Sequence, residues 1–158
     1  MHEEIRNVAI EDTASAAEVE ALEAVFRRHG LDVEIVPDVV RVSNRLLPWV
    51  IYITLVAPVA SFFTAFGSAI GTEAGQDAYG AVKRWVMDVF DARRDSGNGQ
   101  GSIVLRDLDH TNLVLHTAYP DEALDALRKV DWDELRGGYL VWDEQRRGWR
   151  DVWDEERR

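Results

Sequence analysis

A chain of 158 residues with 18 basic and 29 acidic side chains carries a formal net charge of -11. Such a surface repels phosphate backbones and anionic headgroups, which argues against nucleic-acid binding as a main role. The length fits one domain able to bury about 70% of the surface of its unfolded chain. The absence of Cys excludes disulfides and thiolate metal sites, and fits a reducing compartment.

The N-terminus, MHEEIRNVAIED, has no basic region followed by a long apolar run and is not read as a secretory signal. Asn7 to Glu11 read as a first strand. Thr13 and Ser15 are both candidate N-caps, and Ser15 with Glu18 matches a capping box. Ala17, Leu22, Val25 and Phe26, with Ala21 and Ala24, then predict a helix with one apolar face. Arg27, Arg28 and His29 suit its C-terminal end, and Gly30 supplies the stop. Leu31, Val33 and Ile35 alternate with Asp32, Glu34 and Val36 and predict a second strand. Pro37 ends it or marks it as an edge.

Leu46 to Thr72 holds no charged side chain, in a chain that is 30% charged. Two readings compete. In one, WVIYITLV (Trp49 to Val56) is a strand covered on both faces, because aromatic and β-branched residues favour strands. Ala57-Pro58 then breaks it, and Val59 to Ile70 form a short apolar helix. In the other, the run inserts into a membrane, since about 20 apolar residues cross a bilayer. Gly67, Gly71 and Gly75, at four-residue spacing, let a helix approach another surface closely. Pro58 and the β-branched first half favour the strand.

Glu73 to Arg94 predict the next helix, with Ala78, Val82, Trp85, Val86 and Val89 on one face. DSGNGQGS (Asp95 to Ser102) reads as a polar linker. Ser102 to Asp107 and Asn112 to His116 read as a hairpin. Pro120 opens another helix, in which Ala123, Leu124, Leu127 and Val130 form the buried stripe. After Gly137-Gly138, Tyr139 to Asp143 and Gly148 to Val152 read as a closing hairpin. Trp-Asp-Glu recurs at Trp132, Trp142 and Trp153 at uneven spacing, which reads as composition rather than a structural repeat.

Few residues carry chemistry. Asp107, Asp109, His110 and His116 surround the first hairpin, and a carboxylate with two imidazoles is a metal-ligand set in principle. No fourth ligand is spaced to complete it, and a solvated hairpin tip is the simpler reading. Trp142 or Trp149 is expected to pack one face of the last hairpin over the core. Together with Arg150 they also form a candidate partner-binding patch, because Trp and Arg are enriched at interface hot spots. The Gly67, Gly71, Gly75 face is a second candidate interaction surface.

The expected fold is a single α+β domain over 1–158, with a mixed or largely antiparallel sheet and helices packed on it. A subdivision at 95–102 would give units at 1–94 and 103–158. The expected function is a non-enzymatic interaction or regulatory module of a bacterial cytoplasm. It would have a protein partner or self-association, no catalytic residue and no cofactor. Two other readings stay open: a membrane-associated protein inserting 46–72, and a small-ligand binder or enzyme with its site near the 107–116 hairpin.

NVAIED, SAAEVEALEAVFRRHGLDVEIV, ITLVAPVASFFTAFGSAIG, GSIVLRDLDHTNLVL and PDEALDALRKV follow one another in this chain. That order of parts resembles in layout the small effector-associated constant components of actinobacterial conflict systems. The composition, rich in Ala, Val, Asp, Arg and Glu and poor in Lys, is similar to that coded by GC-rich genomes. The resemblance covers roughly residues 5 to 130 and leaves out the Trp-rich closing hairpin. It implies an adaptor-like component accompanying variable effectors, with no catalytic residues to carry over.

Overall fold

The computed structural model describes residues 5–11, 15–38, 49–56, 59, 78–95, 100–130, 132 and 137–152. The first half holds β1 (Ile5–Glu11), α1 (Ala16–Arg28), β2 (Ile35–Asp38), β3 (Trp49–Leu55) and α2 (Ala78–Asp95). Then come β4 (Gly101–Arg106), β5 (Asn112–His116), α3 (Asp121–Asp125) with a 3-10 turn (Ala126–Lys129), β6 (Tyr139–Asp143) and β7 (Gly148–Asp151). Seven strands form one sheet in the order β2-β1-β3-β4-β5-β6-β7. The β1–β2, β3–β4 and β5–β6 pairs are parallel, and β1–β3, β4–β5 and β6–β7 are antiparallel. The chain is therefore an α+β domain with a mixed sheet, and β3 and β4 join the sheet across the 95–102 segment.

Local signals place the first helix. The Ser15 side chain accepts the Glu18 N–H at 3.1 Å, and Glu18 accepts the Ser15 N–H at 3.1 Å, so the capping box forms. The helix ends with the Gly30 N–H on the Arg27 carbonyl and the Leu31 N–H on the Phe26 carbonyl. Gly30 sits at φ 78°, where a side chain would be strained. This cap corrects the second strand, which was expected from Leu31 and begins at Ile35. The Leu31 amide is used to close the helix, and its side chain is buried beside Phe26 in the core. Pro37 lies in β2, an edge strand, the place in a sheet where proline is tolerated. The apolar face of α1 is narrower than expected: Leu22, Val25 and Phe26 are buried, while Ala17, Ala21 and Ala24 are exposed.

The first half of the uncharged run is a central strand. β3 pairs with β1 on one side and β4 on the other. Trp49, Ile51, Ile53 and Leu55 enter the main core, and Val50 joins Val104 and Val114 in a small cluster on the opposite face. Val59 is buried. The rest of the expected 59–70 helix lies outside the described residues. Among those that are described, no helix is long and apolar enough to cross a membrane.

The helices α1, α2 and α3 share the main core with one face of the sheet. On α2, Val82, Trp85, Val86 and Val89 are buried as the spacing predicts, with Ala81 and Phe90 beside them. The Trp85 ring meets Phe26 of α1 edge-on at 5.4 Å. His29 Nε2 lies 2.7 Å from Asp88 Oδ2 and joins the end of α1 to α2. The helix opened by Pro120 is α-helical only over Asp121–Asp125 before tightening into the 3-10 turn. Ala123, Leu124 and Leu127 are buried there, and Val130 is partly buried.

Candidate functional site

The residues first suspected of holding a metal do other work. Asp107 is buried, and both of its oxygens are taken by backbone amides. Oδ1 accepts the Asp109 and Thr111 N–H groups at 2.9 Å, and Oδ2 accepts the Val59 N–H at 3.0 Å. Asp109 and His110 are exposed, and His110 adopts φ 62° in the turn with Nδ1 3.1 Å from Arg106 Nη2. The Thr111 hydroxyl accepts the Gly137 N–H at 2.9 Å, so the turn also holds the entry to β6. His116 lies at the opposite end of β5. Among the described residues no group of three or more His, Asp or Glu side chains is placed to hold a metal ion.

Trp142 and Trp149 face each other across β6 and β7 with rings 5.8 Å apart. Trp142 is buried, and Trp149 is half-buried with its Nε1–H on the Ala123 carbonyl at 2.9 Å. Trp149 thereby packs the hairpin onto α3, beside the main core. Arg147 reinforces that seam with a two-pronged bond to Glu122 at 2.8 and 3.0 Å. Arg150 is half-buried, paired across the strands with Val141 and 3.7 Å from Asp143. Gly67, Gly71 and Gly75 lie outside the described residues.

A cleft forms where α2, the end of β5 and the start of α3 meet. Its floor is Met87, Phe90, Leu115 and Leu124, and its rim is Arg94, His116, Thr117, Tyr119 and Asp121. Its volume is about 70 Å³. The turn that builds the rim is heavily bonded. Thr117 and Gly101 exchange two bonds: the Thr117 N–H donates to the Gly101 carbonyl at 3.0 Å, and the Gly101 N–H to Thr117 Oγ1 at 3.2 Å. The Tyr119 N–H donates to the His116 carbonyl at 3.0 Å. His116 Nδ1 accepts the Ala118 N–H at 2.9 Å. A backbone N–H can only donate, so the neutral ring carries its proton on Nε2.

Burial lowers the pKa of His116 from its usual value near 6.5, which keeps the ring neutral. Tyr119 is pushed up by burial, against a smaller opposing effect of the Trp142 backbone N–H on its phenol oxygen. Tyr119 also meets Trp149 edge-on at 5.9 Å and His116 at 5.7 Å. It thus links the cleft to the C-terminal hairpin.

The 107–116 reading named His116 alone among the cleft residues. Met87, Phe90 and Arg94 are spaced three and four apart on α2, a second helical stripe beside its main apolar face. That spacing was the available signal. Nothing local tied the stripe to Tyr119 or Asp121. No family model, no curated protein and no solved structure matches the chain.

Proposed function

We propose that this chain is a non-enzymatic protein-interaction module whose cleft receives one anchoring side chain of a protein partner. The observation that carries the proposal is the cleft itself, about 70 Å³ with an apolar floor and a rim of Arg94, His116, Thr117, Tyr119 and Asp121. Sites for small molecules occupy about 300–1,000 Å³. A cavity of roughly 150 Å³ holds a benzene ring, so this one suits the tip of an aliphatic side chain. Small pockets of this kind, floored by apolar groups and ringed by polar ones, are where interface hot spots seat. The layout resemblance to effector-associated constant components points to the same class, an adaptor of a bacterial cytoplasm that accompanies other proteins.

The test is affinity capture with the full chain and two variants. Met87→Trp fills the floor from a half-buried position, and Arg94→Glu reverses a rim charge at an exposed one. A protein retained by the wild type and lost from both variants supports the proposal. An unchanged set of retained proteins, with both variants folded, contradicts it.

A further inference from the structure

We propose that protonation of His116 opens the turn between β5 and α3 and loosens Tyr119 from the wall of the cleft. This rests on the reading of that cleft as the docking site, whose occupancy the turn would then control.

His116 Nδ1 accepts the Ala118 N–H at 2.9 Å. This is the geometry of an Asx turn, with an imidazole nitrogen in place of a side-chain carbonyl. An imidazolium has a proton on both nitrogens and cannot accept a hydrogen bond. Protonation therefore sets two donors against each other, and the ring or the Ala118 amide must turn away. The next residue is Tyr119, whose N–H bonds the His116 carbonyl at 3.0 Å and whose ring lies 5.7 Å from the imidazole. Tyr119 lines the cleft and leans on Trp149. A change at His116 thus reaches the cleft wall and the C-terminal hairpin through two residues.

Among the described residues, the surrounding charges leave the imidazole without a committed counter-ion. Arg94 from α2 and Asp121 from α3 share the cleft with it and have opposite signs. On the adjoining hairpin, Asp143 is engaged by the Gln145 and Arg146 N–H groups, and Arg150 lies 3.7 Å from it. Tyr119 is neutral. Burial pushes the same way, so the turn opens below the pKa of a free imidazole.

The test is an NMR titration of the full chain from about pH 7.5 to about pH 5, with no partner present. In the wild type, the Ala118 amide signal should move with the same midpoint as the His116 ring, and the Tyr119–Trp149 ring cross-peak should be lost on the acid side. His116→Asn keeps an acceptor for the Ala118 N–H and removes the titration, so both signals should stay fixed. The proposal is overturned if the His116 ring titrates while the Ala118 amide stands still, or if the amide moves equally in His116→Asn. That second outcome would trace the effect to a titrating group other than His116. Because the chain is titrated alone, a failed partner capture leaves this result standing, and a failed titration leaves the docking reading intact.

Discussion

The guanidinium carbon of Arg93 lies 5.2 Å from the centre of the Trp49 ring. Arg93 is in the last turn of α2, yet its side chain is only 1% exposed, and its Nη1 is 3.9 Å from the Glu18 carboxylate of α1. Burial pushes its pKa down to about 10. It joins the first turn of α1, the last turn of α2 and the start of β3. A buried charge is costly even when paired, its partner Glu18 keeps contact with solvent, and Met keeps most of the length that packs against Trp49. Arg93→Met is therefore expected to change stability by less than about 1.5 kcal/mol. Arg93→Ala leaves a void and should cost about 2–4 kcal/mol. Urea denaturation of the two variants checks the contrast, and equal losses would show that the charge, not the packing, matters.

Trp49 is also why position 101 is glycine. A Cβ at Gly101 would fall on the Trp49 ring, which lies over the backbone at the start of β4. Gly101→Ala should cost at least about 2 kcal/mol by overpacking. The cost should shrink by about 1 kcal/mol or more in a Trp49→Leu background, since the two residues touch. A double-mutant cycle by thermal or urea unfolding measures the coupling, and additive losses would contradict this cause.

Asp107 is predicted to be structural. Its carboxylate accepts the Val59, Asp109 and Thr111 amides. Removing it strands buried donors at about 1–3 kcal/mol each, so Asp107→Ala should lose roughly 3 kcal/mol. His110→Ala, at an exposed turn position, should stay within about 0.5 kcal/mol. Unfolding midpoints in the presence and absence of a chelator should coincide for the wild type. A chelator-dependent midpoint would restore the metal reading of this hairpin.

Much of the architecture was legible because its signals are local. Ser15 and Glu18 are three residues apart, and the strand at Tyr139 to Asp143 follows directly on the Gly137-Gly138 break. WVIYITLV is apolar on both faces, which fits a strand between two others. What failed had a non-local cause. Leu31 continues an alternating pattern, but closing the helix after Gly30 took its amide first. Arg93 carries the charge of a solvent-facing residue and is buried by the approach of Trp49 and α1. The cleft was hidden for the same reason. His116 and Tyr119 come together in one turn, but Arg94 shares their cleft only through the tertiary placement of α2.

His116 also makes a prediction about stability. Its folded pKa is lowered by burial below the unfolded value of about 6.5. The unfolded chain then binds the proton more readily. Its contribution is therefore fully present above about pH 6.5 and is lost as pH falls through the folded value. Between about pH 7.5 and about pH 5 the wild type should lose more stability than His116→Asn. Urea midpoints at the two pH values test this, and equal losses in both proteins would contradict it.

The docking of a partner at the cleft is tested most directly by crosslinking in cells. A photoreactive benzoyl-phenylalanine at position 94 should form one discrete adduct with another protein. The same group at position 28, an exposed site at the end of α1, should not. Identical adducts from both positions, or an adduct from 28 alone, would contradict the assignment of the cleft as the partner site.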